Sequence, residues 1–282
     1  MSNTLYPVLA VYAHPDDEGQ ASGTLAAFVQ AGHSVTLVCA TRGEVGEISD
    51  PALATNETLG YVRELELRAA MAQVGVHQVE FLPYRDSGMV GTPENDDPRC
   101  LHQAPSETVT EELVRIIRRT KPGLVFTWDP TGGYGHPDHI AVHRHTLSAY
   151  EAAGDPAAFP SAGEAHEPRA LYWGTFRMKQ FAVMRLELEK RGLLTEPIDE
   201  EMRQRLDKAM EEPDPIVSVV HDVRAYIEAK QRGSSMHRSQ FGEGSMFSKL
   251  PDDLRAQFFA EERFYRARPT WTDGDVPLVS FN

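Results

Sequence analysis

Residues 7–13 (PVLAVYA) form an unbroken apolar run that stops at His14-Pro15-Asp16-Asp17-Glu18. A run this short and this apolar suits a strand buried on both faces, as strands inside a parallel sheet are. Four ionisable residues in five positions abutting such a strand need an explanation, and the segments that follow supply its frame. Residues 23–31 read as a helix with Gly32 as its stop, and 34–40 as a second strand. Strand, polar loop, helix, strand is the signature of a parallel sheet, whose crossovers leave ligand crevices outside the carboxyl ends of the strands. The pattern repeats: helix 57–74, short strand 79–82, amphipathic helix 106–120, buried strand 124–128, helix 140–153 ending at Gly154, a Pro/Ala/Gly loop over 155–168, and a strand at 171–174. The expected fold class is α/β, a Rossmann-like, mostly parallel sheet with helices on both faces, occupying residues 1–175. Beyond it, charged helices at 179–191 and 200–211, separated by Pro197, suggest a lid. Segments 217–220, 223–232 and 251–264 would return the chain to the main body, so 176–282 is expected to form a C-terminal cap that completes the cleft.

Composition removes several classes. Lys plus Arg number 28 against 42 Asp plus Glu, a net charge of −14, with no basic stripe and no Gly-rich phosphate loop, so nucleic acid is not expected as a partner. No stretch approaches the roughly 18 apolar residues of a membrane span, and residues 1–6 lack the parts of a signal peptide. The expectation is a cytoplasmic protein without a membrane partner. The two cysteines, Cys39 in an apolar run and Cys100 in a polar loop, have no CxxC spacing, which points away from a zinc knuckle or disulfide scaffold and towards a reducing compartment.

A second polar cluster, Asp129 to His139 (DPTGGYGHPDH), again follows a buried strand and precedes a helix. Parallel strands align their carboxyl ends, so both clusters belong on one rim. Imidazole and carboxylate converging there suit a borderline cation such as zinc, held by three protein ligands with one position open, which is a catalytic arrangement. Such a site polarises a carbonyl and activates water for attack on an amide or ester. The doubled Asp16-Asp17 offers one carboxylate to the metal and one as base, because adjacent side chains in a turn point different ways. Pro15 and Pro137 stiffen both loops. A single HPD triplet could be only a helix start with Asp as its cap; two at the ends of two buried strands argue for a shared site. His139 and His143 share a helical spacing, but His143 reads as a packing or helix-surface residue, and His145, His33 and His77 as ordinary surface or strand-edge residues.

The chain resembles the PIG-L/LmbE-like zinc N-deacetylases through AHPDDE (13–18) and HPDH (136–139). TRGEVGE (41–47), YVRELE (61–66), RDSGM (85–89), GGYGHPDH (132–139) and HRSQ (237–240) are similar to the branch holding the mycothiol-pathway deacetylase and the mycothiol-conjugate amidase. The resemblance implies zinc ligands His14, Asp17 and His139, Asp16 as general base, His136 beside the acetyl oxygen with Asp138 orienting it, and Tyr134 on a mobile loop reaching the oxyanion. It implies Arg63 and Asp86 on the sugar; Glu44 and Glu47, which follow the second strand, could line the crevice as substrate-binding residues. Without the resemblance, Arg63 reads as a solvent-facing partner of Glu64 or Glu66, Asp86 as a turn former, and Glu44 and Glu47 as solvated loop acids. His237 could approach the rim.

The implied activity is metal-dependent hydrolysis of a linear amide, deacetylating an N-acetylglucosamine conjugate of the low-molecular-weight thiol-precursor type, mycothiol or bacillithiol, with inositol or malate on the sugar. One zinc per chain is implied, with Fe2+ the alternative, a small-molecule glycoside as partner, and a homo-oligomer left open. The rival within the same chemistry is an amidase cleaving a thiol S-conjugate. That branch carries a Lys shortly after HPDDE, where this chain has Gly19-Gln20-Ala21-Ser22. The rival of another class, a nucleotide-binding module, requires a glycine-rich turn after the first strand; a rigid acidic loop stands there instead.

Overall fold

The computed structural model describes residues 5–175, 178–194, 197–242, 250–272 and 274–275. Its elements run β1 (Val8–Tyr12), α1 (Ser22–Gln30), β2 (Val35–Cys39), α2 (Leu59–Gln73), β3 (Gln78–Phe81), α3 (Ser106–Thr120), β4 (Leu124–Thr127), the single turn α4 (Gly132–Gly135), α5 (Pro137–Ala153), β5 (Ala170–Gly174), α6 (Met178–Lys190), α7 (Glu200–Glu211), β6 (Val219–Asp222), α8 (Ile227–Ser234), α9 (Asp252–Phe259) and β7 (Glu261–Arg268). Among the described residues the strands make one seven-stranded sheet in the order β3-β2-β1-β4-β5-β7-β6. The first five are parallel, and β7 runs antiparallel to both β5 and β6. The expected α/β architecture is therefore present.

Every residue of β1, β2 and β4 is buried, which is why their sequences are continuous apolar runs rather than alternating ones. The helices cover both faces, α3 against α5 on one, and α1 and α2 gathered around α8 on the other. The chain leaves β1 towards β2 and β3 and then crosses back to place β4 on the other side of β1. That reversal opens a crevice at the carboxyl ends of β1 and β4. Both polar clusters follow these two strands, so neighbours in the sheet bring together loops more than a hundred residues apart in sequence.

Three local differences from the sequence reading matter. Helix α5 starts at Pro137, because proline is suited to the first helical position, and His136 caps it by accepting from the Asp138 amide. The HPDH motif thus lies on the helix start itself. The return segment builds two strands, and β7 enters the sheet as the neighbour of β5 with an alternating burial pattern that its charged sequence (EERFYRAR) disguises. His145, read as a surface or strand-edge residue, is instead fully buried, its ring 3.4 Å from Ser106 of α3. Helices α6, α7 and α9 form two small apolar clusters of their own. The expected boundary after residue 175 borders residues 176–177, which lie outside the described set. No helix among the described residues is long and apolar enough to cross a membrane.

The far end of α5 is held by one side chain. Arg118 is buried, and its guanidinium donates to the carbonyls of Ala152, Ala153, Asp155, Ala158, Phe159 and Gly163 at 2.7–3.2 Å. A cation there satisfies the terminal carbonyls of the helix that carries the site and organises the following loop. Arg118→Met should destabilise the chain by about 2–4 kcal/mol, because it removes six bonds to carbonyls and leaves those of Ala158 and Gly163 with no other donor among the described residues, read as a lower urea midpoint with an unchanged slope.

Candidate active site

The HPDDE loop is shaped by Asp17. Its Oδ2 accepts from the amides of Ala13 and His14 at 3.0 and 2.9 Å and from Trp128 Nε1 at 2.9 Å. One carboxylate oxygen thus ties the loop to the end of β4, and Oδ1 is left facing His139 Nε2 at 3.4 Å. Burial alone would raise the Asp17 carboxyl, but the His139 and His14 rings hold it well below the usual carboxylate range.

The two imidazoles are oriented from behind. His14 Nε2 lies 3.1 Å from Asp138 Oδ2 and 3.5 Å from Asp86 Oδ1, so it carries the proton. His139 Nδ1 lies 3.1 Å from the Gly132 carbonyl, so it too carries the proton. With their outer nitrogens so engaged, His14 Nδ1 and His139 Nε2 face each other at 3.1 Å, a hydrogen-bond distance. Two such atoms share a cation, a proton or a metal ion: burial would lower His14, but Asp86, Asp138 and Asp17 outweigh it and hold the ring well above its ordinary range. His14 Nδ1 is also 3.8 Å from the Asp17 carboxylate. A tetrahedral ion bound at zinc–ligand lengths separates its donor atoms by about 3.3 Å, close to the 3.1 Å between the two imidazole nitrogens and the 3.4 Å from His139 Nε2 to Asp17 Oδ1, whereas the 3.8 Å contact of His14 is to Oδ2, the oxygen already held by three N–H donors. His136 completes a group of three imidazoles whose ligand atoms lie within 4.8 Å of one another, and His14, Asp86 and Asp138 make a second such group. The chain therefore carries a candidate metal site. Trp128 stacks on His139 at 4.0 Å between centroids and fixes its plane. Gly132 must lack a side chain, since a Cβ there would meet His139 Cβ at 2.9 Å and its φ is +65°.

Asp16 is positioned separately. Its φ of 106° is left-handed, which turns it away from the direction taken by Asp17. Arg63 is buried rather than solvent-facing. Its Nη2 donates to the Pro15 carbonyl at 2.6 Å and to Asp16 Oδ2 at 3.2 Å, and its Nη1 to the Gly43 carbonyl at 2.9 Å. Gly43, at φ +64°, makes room for the guanidinium, where a Cβ would come within 2.2 Å of Nη1. Burial pushes the Asp16 carboxyl up and Arg63 pulls it back, leaving it at about 6.

The remaining expected residues divide. Asp86 is buried; its Oδ1 accepts from the Gly88 amide, as a turn former does, and also approaches His14, which outweighs burial and holds it below its ordinary range. Glu44 accepts from the Asp86 amide at 3.0 Å, so it supports the rim. Glu47 has an exposed side chain, and its carbonyl accepts from Gln240. His136 is buried beside His14 and His139; burial and these two rings bring it down to about 4. Asp138 reaches His136 only through its backbone amide, 3.2 Å from Nδ1, while its carboxylate turns to His14 and Ser87. Tyr134 is 56% exposed, its ring edge-on to His136 and His139. His143 is a packing residue bonded to the Trp128 carbonyl. Ser87 and Trp128 escaped the sequence reading. Ser87 donates both its amide and its hydroxyl to Asp138, and only its place beside Asp86 in RDSGM could have signalled it.

With this geometry in place, comparison with known proteins is informative. Residues 9–150 match the family described as PIG-L, GlcNAc-PI de-N-acetylase. The chain belongs to the PIG-L family. It is 36% identical over 269 residues to the 1D-myo-inositol 2-acetamido-2-deoxy-alpha-D-glucopyranoside deacetylase 1 of Catenulispora acidiphila, covering 92% of this chain and 82% of that protein. Similarity to the Geodermatophilus obscurus deacetylase of the same description is 37% over 270 residues, covering 92% and 90%. This PIG-L chain is a hydrolase acting on an N-acetyl amide. Its fold is shared with the N,N'-diacetylchitobiose deacetylase of Pyrococcus horikoshii (TM-score 0.62, 19% identity, 93% and 83% coverage). It is shared equally with GalB, a 4-carboxy-2-hydroxymuconate hydratase of Pseudomonas (TM-score 0.63, 17% identity, 96% and 100% coverage), so the fold by itself does not select the chemistry.

Since Asp138 and Ser87 set the tautomer and plane of His14, Asp138→Asn and Ser87→Ala in this PIG-L chain should each weaken metal binding about 10- to 100-fold. Competition titration against a chelating dye measures this, and unchanged affinity in both variants would contradict the orienting role.

Proposed function

We propose that the chain removes the acetyl group from the N-acetylglucosamine unit of a small glycoside whose other half is inositol, using one zinc held by His14, Asp17 and His139. The observation that carries this reading is the pair of imidazole nitrogens facing each other beside the free oxygen of Asp17, with a second carboxylate, Asp16, next to it and not engaged by the same partners. The relatives named above act, by their names, on an inositol glycoside of acetamido-deoxyglucose, and the match spans nearly the whole chain. When bound, zinc supplies a Lewis acid for the acetyl carbonyl and brings the pKa of water towards neutrality.

The residues do the rest. Asp16 accepts the proton of the attacking water. His136 accepts the Asp138 amide at Nδ1, so its Nε2 carries a proton and donates to the oxygen on which charge develops. Tyr134, exposed on a turn between glycines, closes over the same oxygen. The carbon–nitrogen bond breaks as the nitrogen takes up a proton, releasing acetate and the free amine. In this reading Asp86 and Glu47 contribute to binding the sugar, whereas Arg63, with its donors turned inward, contributes by holding Asp16. On this reading the C-terminal part completes the cleft through the turn after α8, which reaches both the HPDDE loop and residues 47–49.

Amine release from N-acetylglucosaminyl-inositol, N-acetylglucosaminyl-malate and free N-acetylglucosamine, measured with zinc-loaded and chelator-stripped protein, tests the proposal. The expected result is zinc-dependent turnover of the inositol glycoside well above the other two. Asp16→Asn should lower kcat about 10²–10⁴-fold with zinc retained, and His139→Ala should lose the zinc. No turnover of any glycoside by metal-loaded protein would sink this assignment and favour a thiol-conjugate amide as substrate.

A further inference from the structure

Asp16 holds a left-handed backbone conformation without being glycine, and such a residue persists only where its surroundings over-determine it. The constraint comes from Glu18. Its Oε2 accepts the Asp16 amide at 2.9 Å, and its Oε1 accepts from His237 Nε2 at 2.7 Å. Glu18 and His237 are 3% and 1% exposed, and 219 residues separate them. His237 Nδ1 has no hydrogen-bond partner among the described residues, so the bond to Glu18 is the ring's one directional anchor.

The turn that carries His237 is itself fastened to the rim. Ser239 donates its amide and hydroxyl to the two oxygens of Glu66 on α2, at 2.8 and 2.6 Å, and its carbonyl accepts from the Ser49 amide. Helix α2 therefore sends Glu66 to this turn and Arg63, three residues earlier, to the Asp16 carboxylate. A buried His–Glu pair is a poor source of net stability, because the desolvation of both groups offsets most of their attraction. Its placement against the one strained amide of the loop is what distinguishes it from a packing contact.

We propose that Glu18 and His237 are positioning residues for the deacetylation: together they hold the Asp16 backbone so that its carboxylate faces the crevice instead of turning back with Asp17. This rests on the reading of Asp16 as the base. A displacement of about 1 Å at a catalytic group can cost on the order of 100-fold in rate, so the pair acts on turnover and not on substrate or metal binding.

The test uses the zinc-loaded full chain and the variants Glu18→Leu, His237→Leu, Asp16→Asn and Glu18→Leu combined with Asp16→Asn, with Glu18→Gln, whose carboxamide oxygen can still accept the Asp16 amide, as the conservative comparison. Turnover of the inositol glycoside, KM, zinc stoichiometry and melting temperature are measured for each, with a crystal structure of Glu18→Leu. The expected result is a fall in kcat of about 10- to 100-fold in Glu18→Leu and His237→Leu, with KM and zinc content unchanged, turnover restored towards the parent in Glu18→Gln, no further loss when Glu18→Leu is added to Asp16→Asn, and an Asp16 φ that has left the left-handed region. If one leucine variant does not fold, the other decides. Full turnover in Glu18→Leu beside an inactive Asp16→Asn would overturn the proposal alone, as would a loss confined to KM or zinc content, or an unchanged Asp16 φ in the crystal. Near-full turnover in Asp16→Asn would overturn the base assignment, and this proposal with it.

Discussion

The contact on which the rest of this site depends is between His14 Nδ1 and His139 Nε2, which face each other at 3.1 Å and need a cation between them. The groups around the two rings enforce it. The Gly132 carbonyl and the Asp138 carboxylate take the outer ring protons, Ser87 holds Asp138, and Trp128 flattens His139 while anchoring Asp17. Ser87 comes from the loop after β3, and Trp128, Gly132 and Asp138 from the segment after β4, both at the carboxyl ends of the parallel strands. The sheet makes such convergence inexpensive, because β1 and β4 are neighbours and end at the same level.

The doubled aspartate shows how one turn supplies two roles. Asp17 spends one oxygen on three N–H donors and leaves the other to the crevice, which suits a ligand of fixed direction. Asp16 is held at a single oxygen by Arg63 and is lifted to about 6 by burial, which suits a group that must gain and lose a proton. The difference lies in the backbone. A left-handed residue followed by an ordinary one sends consecutive side chains to different partners, and Glu18 keeps that conformation in place.

Much of this was legible in the chain itself. Strands buried on both faces announce themselves as continuous apolar runs, so β1, β2 and β4 and the clusters after them could be read directly, and both HPD motifs with them. Residues whose partners lie far away in sequence were harder. Arg63 sits in a charged helix and looks solvated, yet it is buried in a cradle that Gly43 leaves open. His145 looks like a surface residue because its neighbours His143 and Arg144 are polar, yet it falls on the α3–α5 contact. Strand β7 hides behind alternating charges because a sheet near its edge buries only some of its positions.

The sequence by itself determined the fold class and which motifs are the candidates for the site: periodicity and the positions of Pro and Gly are local properties, and two acidic histidine motifs follow buried strands. Only the tertiary structure decided how those residues divide the work. It turned Asp138 to His14 instead of to His136, put Arg63 beneath Asp16, and brought His237 across 219 residues onto Glu18. Hydrogen-bond direction, ring tautomer and backbone strain are set by which atoms meet in space, and spacing along a chain carries no record of them.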